Sequence, residues 1–227
     1  MSRFELPIIQ IAGVQNHEES KLITESGANY LGIPLRLEHH PEDTSEEYAA
    51  EIVARLPDII QPVLITYLMQ AYDITELAAK TGCKIVQLHG NIGIHEIKKL
   101  KEKAPELLLI KSIIIGEAET ESTLDFAKQF DQHIDAFITD TFDPETGAKG
   151  ATGKTHDWNI SKGIVNAVEK PVILAGGLDP GNVADAIRIV RPAGVDVHSG
   201  VENDDGYKDR ALLEDFVRNA KKGFSNS

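Results

Sequence analysis

The sequence predicts an α/β fold, a single (βα)8 TIM barrel domain over residues 1–227. Short apolar runs rich in Ile, Val and Leu alternate eight times with segments of helical spacing, as expected for a parallel sheet buried on both faces. Eight such units with right-handed crossovers close into a barrel, and the chain has the length of one. A doubly wound open sheet is the alternative, but no Gly-x-Gly-x-x-Gly follows the first strand.

The apolar runs are the predicted strands, and several of them end in glycine. They cover residues 8–13, 30–35, 62–68, 84–90, 107–115, 135–142, 171–178 and 194–200. The helices are predicted at residues 17–27, 45–56, 74–82, 94–104, 121–130, 159–168, 182–190 and 209–222. Gly27 and Gly82 stand where a helix commonly ends in left-handed backbone. Asp179 and Pro180 are predicted as the N-cap and first residue of the seventh helix.

The amino-acid composition excludes some classes of binding partner and indicates a cellular compartment. The formal net charge is −13, which argues against a nucleic-acid or anionic-membrane surface, since either needs a basic face. The single cysteine, Cys83, excludes an intramolecular disulfide and fits a reducing compartment. No apolar run approaches the length of about 18 residues that a membrane span needs, and the N-terminus lacks a signal-peptide pattern. We expect a cytoplasmic monomer or homodimer.

Two consecutive predicted strands, the seventh and eighth, lead into loops made largely of glycine and serine. Such loops let backbone N–H groups approach a ligand oxygen, and in barrels the loops after strands 7 and 8 commonly bind phosphate. Gly176, Gly177, Ser199 and Gly200 are therefore predicted to bind the phosphate of a small-molecule substrate.

The carboxyl ends of barrel strands carry functional residues, and Asp140 and His89 are candidates at the sixth and fourth strands. Asp140 follows an apolar run and precedes a glycine-rich loop, so it is a candidate general acid; the alternative is a carboxylate that caps a loop amide. His89 ends the fourth strand, where its imidazole can reach a ligand or simply bind backbone at the rim.

Asp196 and His198 lie two residues apart on the eighth strand and so face the same way. They can form an acid–imidazole pair or be polar neighbours in the pocket wall. The adjacent His39 and His40 follow the second strand, but no partners for a metal site can be placed, and no metal or cofactor is predicted. Residues 143–156 form the longest irregular stretch. The Gly-Lys-Thr within this stretch does not have P-loop spacing. We therefore interpret the stretch, which contains Gly153, as an active-site lid.

Together these motifs resemble the phosphoribosylanthranilate isomerase family, in order over nearly the whole chain. The matching segments are Gln-Leu-His-Gly at 87–90, Thr-Asp-Thr at 139–141, Gly-x-x-Gly-Lys-Thr-x-Asp-Trp at 150–158, Leu-Ala-Gly-Gly-Leu-x-Pro-x-Asn-Val at 174–183 and Val-Asp-Val-x-Ser-Gly-Val-Glu at 195–202. The resemblance implies a (βα)8 barrel and an Amadori rearrangement without cofactor or metal. A general acid opens the ribosyl ring, and a general base then moves a proton from C2.

Carried onto this sequence, the resemblance implies roles for individual residues. Asp140 matches the general acid, and Asp196 matches a strand-8 aspartate of the pocket. Gly176, Gly177, Ser199 and Gly200 match the phosphate-binding loops, and Gly153 belongs to the matching lid motif.

The chain departs from the family pattern at three places. The family begins with Lys-Ile-Cys-Gly-Ile-Thr, whose cysteine is the general base, whereas residues 10–15 place Ala12 there. The substrate-binding arginine of the loop after strand 2 has no counterpart in register, since Arg36 is displaced from its position. His198 stands where the family usually has serine.

Three functional hypotheses follow from this pattern. The first is an isomerase in which His198 or His89 replaces the missing base. The second is a relative that acts on a different phosphorylated sugar or phosphoribosyl-amine, which the joint loss of the base and the arginine favours. The third is a non-catalytic binder of a phosphate ligand, against which the retained Asp140 and lid motif argue.

Overall fold

A computed structural model describes residues 3–38, 42–116, 118–142 and 155–226. Its eight strands are β1 (Ile8–Ala12), β2 (Tyr30–Pro34), β3 (Gln61–Thr66), β4 (Ile85–Leu88), β5 (Leu108–Ile115), β6 (Ala136–Thr141), β7 (Val172–Leu174) and β8 (Gly194–Val197). They pair in parallel in sequence order, and β8 pairs with β1 to close the barrel. The predicted fold class is confirmed.

A helix follows each strand and packs on the outside of the barrel. The helices are α1 (His17–Ser26), α2 (Glu46–Arg55), α3 (Ala71–Thr81), α4 (Ile94–Lys103), α5 (Thr120–Phe130), α6 (Trp158–Ala167), α7 (Val183–Val190) and α8 (Arg210–Ser225). Gly27 and Gly82 end α1 and α3 in left-handed backbone, as expected. Within the described residues, no helix combines the length and apolar character needed to cross a membrane.

Strand alternation divides the buried apolar residues into two layers. Inward-facing residues fill the barrel below the pocket, among them Ile8, Tyr30, Val63, Ile110, Ile138 and Ile173. Outward-facing residues of the same strands pack against the helices, among them Ile9, Leu31, Leu64, Leu109 and Phe137. This arrangement explains the near-continuous apolar runs, because each strand is buried on both faces.

Several predicted boundaries were wrong, and the largest differences lie near the carboxyl ends of β7 and β8. Both strands stop before their glycines, at Leu174 and Val197, and residues Ser199–Val201 form a short 3-10 helix. The seventh helix begins at Val183, because the Asp179 carboxylate accepts from the backbone N–H groups of Gly181 and Asn182 and holds a turn there instead. The third helix begins at Ala71, three residues before the predicted start.

Candidate active site

A cavity of about 600 Å³ opens at the carboxyl ends of the strands. Eight of the nine residues proposed from the sequence line it: His89, Asp140, Gly176, Gly177, Asp196, His198, Ser199 and Gly200. The ninth, Gly153, lies outside the described residues, as do His39 and His40. The barrel therefore brings residues from four strand ends together around one space large enough for a sugar phosphate with an aromatic group.

Glycine shapes the cavity end formed by the loops after β7 and β8. Gly176 and Gly177 have φ of +94° and +62°, a conformation that side-chain-bearing residues rarely adopt. A Cβ atom at Gly200 would collide with the backbone carbonyl of Leu178, so the two loops touch at this point. Backbone brought so close to the cavity can present N–H groups to a phosphate without interference from side chains.

Asn182 holds the loop after β7 in place. Its Nδ2 donates to the Gly177 carbonyl at 2.9 Å, and its Oδ1 accepts from the backbone N–H of Asp179 at 3.0 Å. The loop is thus tied to the start of α7 on both sides of its turn, which fixes its backbone before any ligand binds.

His156 packs next to the loop after β7. Its Nδ1 lies 2.9 Å from Thr141 Oγ1, and its Nε2 lies 2.6 Å from Ser161 Oγ. A Cβ atom at Gly176 would collide with Thr141 Oγ1. Burial lowers the pKa of His156 to about 4, so the imidazole is neutral near pH 7. This neutral ring connects the end of β6 to the start of α6 beside the phosphate-binding loop.

A layer of buried polar groups forms the floor of the cavity. Gln10 on β1 donates through Nε2 to Oε1 of Gln87 on β4 at 3.1 Å. Asp196 on β8 pairs in register with Gln10, and its Oδ1 is buried without a hydrogen-bond partner among the described residues. Burial raises the pKa of Asp196 to about 7, and the nearby charge of Asp140 acts in the same direction. The Asp196 carboxyl group is therefore partly protonated near neutral pH.

Asp140 reaches the cavity from β6. Its Oδ1 accepts from the backbone N–H of Thr141 at 2.8 Å, which orients the carboxyl group. Tyr67, after β3, also lines the cavity, and burial together with the charges of Asp140 and Glu38 raises its pKa to about 12. The Tyr67 phenol is consequently protonated at neutral pH and able to donate a hydrogen bond.

The structure orients His89 through its neighbours. Its Nδ1 lies 3.1 Å from Ser112 Oγ, and its ring centroid lies 4.7 Å from that of Tyr67. The buried Nζ of Lys111 donates to the carbonyls of Leu88 and Gly90, on either side of His89, at 3.2 and 3.0 Å. Contacts to ring and backbone thus hold this imidazole at the wall of the cavity.

His198 lies next to the position where the family's base would be. The register Ile11 with Val197 brings Ala12, the last residue of β1, next to His198, the residue after β8, and both line the cavity. A Cβ atom at Gly13 would collide with His198 Nε2, so the imidazole covers Gly13. The same Nε2 lies 3.3 Å from Glu202 Oε1. The methyl group of Ala12 is therefore flanked by an imidazole ring, a type of side chain that can accept a proton.

The loop after β2 presents a carboxylate to the cavity. Asp43 lines it, and burial raises the pKa of this carboxyl group. Arg36 is held elsewhere, with Nε donating to Glu46 Oε1 at 2.8 Å. In the described parts of the chain, no lysine or arginine lines the cavity, and no group of three His, Cys, Asp or Glu residues is arranged to hold a metal ion.

Several residues that line or support the site are not evident from the sequence alone. Gln87 lies two residues before His89 on β4, so strand alternation could have placed both on the inner face. Glu202 is the last residue of the motif at residues 195–202, but the motif alone does not indicate a role for it. The contributions of Asp43 and His156 come from loops whose paths the sequence does not reveal.

Known proteins of one family resemble this chain in both sequence and structure. Residues 9–219 match the family model for N-(5'-phosphoribosyl)anthranilate (PRA) isomerase. N-(5'-phosphoribosyl)anthranilate isomerase 2 of Methanosarcina mazei is 38% identical over 218 residues, which cover 95% of each chain. The crystal structure of phosphoribosyl anthranilate isomerase from Thermotoga maritima matches with a TM-score of 0.81 and 31% identity, over 95% of this chain and 98% of that one.

A further solved structure contains a ligand. It is a phosphoribosyl anthranilate isomerase in complex with reduced 1-(o-carboxyphenylamino)-1-deoxyribulose 5-phosphate. That protein matches with a TM-score of 0.78 and 28% identity, over 95% of this chain and 98% of its own. The ligand in that protein is a phosphorylated, open-chain sugar with an aromatic amine.

Proposed function

Because the chain belongs to the PRA isomerase family, we propose that it catalyses the family's Amadori rearrangement with Asp140 as general acid and His198 as general base. The reaction is an intramolecular aldose–ketose isomerisation of N-(5'-phosphoribosyl)anthranilate. One observation carries the assignment of the base: the β1–β8 register sets His198 beside Ala12, in the cavity that Asp140 also lines.

The first step requires a proton donor at the ribose ring oxygen. Asp140 lines the cavity, and we assign this role to its carboxyl group. Burial, together with the charge of Asp140, raises the pKa of Asp196 to about 7, so Asp196 can supply a proton to Asp140 near neutral pH. Transfer of this proton to the ring oxygen accompanies cleavage of the bond between C1 and that oxygen. The product is an open-chain protonated Schiff base, in which the electron-poor C=N group makes the C2 proton acidic.

The second step requires a proton acceptor near C2. A neutral His198 imidazole takes this proton, and the C2–H electron pair forms a C1–C2 double bond while the C=N electrons return to nitrogen. The resulting enolamine tautomerises to the ketose. An imidazole suits this role because its unperturbed pKa is close to neutral. Ala12 cannot take part, since a methyl group accepts no proton.

Binding is assigned to the remaining groups of the cavity. Gly176, Gly177, Ser199 and Gly200 supply the phosphate-binding backbone, supported by the positive-φ glycines and the Asn182 hydrogen bonds. His89 and Tyr67 lie together at another part of the wall, where we assign them hydrogen bonds to the sugar. The alternative in which His89 is the base lacks the proximity to Ala12 that His198 has.

The direct test is turnover of PRA by the purified protein. We expect formation of 1-(o-carboxyphenylamino)-1-deoxyribulose 5-phosphate, followed by the loss of PRA fluorescence or by chromatography. Loss of turnover in Asp140→Asn, with retained binding of the reduced product analogue, supports the assignment of the acid. A protein that binds the analogue but never turns over PRA contradicts the proposed activity and leaves the non-catalytic binder.

A second candidate is isomerisation of a phosphoribosyl-amine without the anthranilate carboxylate. Asp43 favours it, because this carboxylate faces the cavity from the loop after β2 and repels an anionic substituent. The test compares the affinity of the reduced product analogue with that of its counterpart lacking the carboxyl group. Tighter binding of the uncharged compound supports the second candidate, and tighter binding of the carboxylate supports PRA.

We also propose that the barrel acts as one domain and works in the cytoplasm. The closed strand order from β1 to β8 supports the first point, and the single reduced cysteine supports the second.

A further inference from the structure

A buried ion pair lies directly behind His198. Lys208 Nζ is 2.6 Å from Glu202 Oε1, and the side chains of Lys208 and Glu202 are 2% and 18% exposed. Lys208 precedes α8, and Glu202 follows the short 3-10 helix, so the pair joins the two ends of one loop. An ion pair this well buried interacts more strongly than a surface pair and leaves both side chains little freedom.

Both members of the pair contact His198. Glu202 Oε1 lies 3.3 Å from Nε2 of the imidazole, and Lys208 Nζ donates to the backbone carbonyl of His198 at 3.1 Å. Gly13 lies against the same ring, which therefore has a carboxylate at Nε2 and backbone at its face. The orientation of the imidazole is thus determined by neighbours on three segments of the chain.

Within the described residues, further charged groups lie around the ring. From the loop after β2, Asp43 Oδ2 lies 4.0 Å from Nε2. From α1, Glu19 accepts from the backbone N–H of Lys208 at 2.8 Å. Burial lowers the pKa of Lys208, whereas the charges of Glu202, Glu19 and Asp43 act to raise it. Among the described residues, the carboxyl groups of Glu202 and Asp43 thus lie near the ring, and Lys208 and Glu19 lie behind them.

We propose that Glu202, held in place by Lys208, is a positioning residue that orients His198 and stabilises its protonated form. The role of His198 as base rests on the proposed function. The carboxylate faces Nε2, so the neutral ring keeps its proton on Nε2 and its lone pair on Nδ1. When the imidazole takes the C2 proton, Glu202 lies in place to balance the positive charge. Lys208 prevents the carboxylate from turning away.

The kinetic test is Glu202→Gln, which keeps the shape of the side chain and removes its charge. We expect kcat for PRA to fall about 10- to 100-fold with a much smaller change in KM, since the charge of Glu202 matters most once His198 is protonated in the transition state. As pH increases, kcat rises because the base loses its proton. This rise should occur at lower pH in Glu202→Gln, because the imidazolium has lost its carboxylate partner. In a His198→Ala background, Glu202→Gln should have no further effect on kcat.

A second measurement does not depend on turnover. The imidazole C–H signals of His198, assigned by their absence in His198→Ala, are titrated by NMR in the parent protein and in Glu202→Gln. We expect half-protonation of His198 in Glu202→Gln to require a proton concentration about tenfold higher than in the parent protein. Unchanged binding of inorganic phosphate shows that the variant is folded and its phosphate-binding loops are intact.

The outcomes separate the two proposals. An unchanged His198 titration in a folded Glu202→Gln protein overturns the positioning role, whatever the activity. A shifted titration in a protein where His198→Ala retains full activity leaves the contact intact and overturns the assignment of His198 as base. An additive effect of the two substitutions on kcat shows that Glu202 acts independently of His198 and also overturns the positioning role.

Discussion

The imidazole of His198 occupies the space directly over Gly13, where a Cβ atom would collide with Nε2. Gly13 also has φ of +77°, so both its backbone and its surroundings require glycine. The absence of a side chain at Gly13 thus leaves the space that the His198 ring, just after β8, occupies. Position 12 lacks a base, and the structure sets a titratable ring beside it.

Gly13→Ala should displace His198 and strain the backbone. We expect a loss of about 1–3 kcal/mol in the free energy of unfolding and a fall in kcat of at least about tenfold. Chemical denaturation and steady-state kinetics check both. Gly163→Ala in α6 is the control, because its Cβ would meet only ordinary contact at 3.7 Å. Equal behaviour of the two variants would contradict the packing described for His198.

Asp140→Asn should remove the general acid while keeping the shape of the side chain. We expect kcat to fall by about 10²- to 10⁴-fold with KM changed far less. Steady-state kinetics with PRA measures this effect. Asp185→Asn on α7 is the matched control, since Asp185 is exposed and pairs only with Arg188 among the described contacts. A loss below tenfold in Asp140→Asn would assign the acid to another group.

Asp196 should make the stability of the protein depend on pH. Its folded-state pKa of about 7 lies above its ordinary value of 3.8, so between these values the folded protein binds more protons than the unfolded chain. The free energy of unfolding therefore falls as pH rises through this window. Urea unfolding at pH 4.5 and 7.5 should show this fall to be smaller in Asp196→Asn than in the parent. An identical fall in both proteins would show that Asp196 does not hold the proton.

His156→Phe should weaken phosphate binding. Phenylalanine fills a similar volume but loses the hydrogen bonds to Thr141 and Ser161, and it leaves the buried Ser161 hydroxyl without this partner. We expect a loss of about 1–3 kcal/mol in the free energy of unfolding. Inhibition by inorganic phosphate should weaken as well, because the ring supports the Gly176 loop. Unchanged phosphate inhibition would separate His156 from the phosphate-binding end.

The fold was predictable because barrel strands are buried on both faces and leave eight distinct apolar runs. The errors were local and have physical causes. The Asp179-Pro180 pattern was interpreted as a helix start, but the Asp179 carboxylate binds two backbone N–H groups and delays α7 to Val183. A propensity rule does not distinguish a capping acid from one that closes a turn before the helix.

The site was only partly predictable. Residues at strand ends, such as Asp140 and His198, follow from strand alternation and barrel topology. The contacts of His198 with Glu202, Asp43 and Gly13 join segments far apart in sequence, so no spacing rule reveals them.

The most direct test of the account is a measurement of kcat for PRA in His198→Ala and in the double variant Ala12→Cys/His198→Ala. If His198 is the base, His198→Ala lowers kcat by about 10²- to 10⁴-fold, and cysteine at position 12 restores much of the loss by supplying a proton acceptor on the neighbouring strand. Full activity in His198→Ala would contradict the central claim.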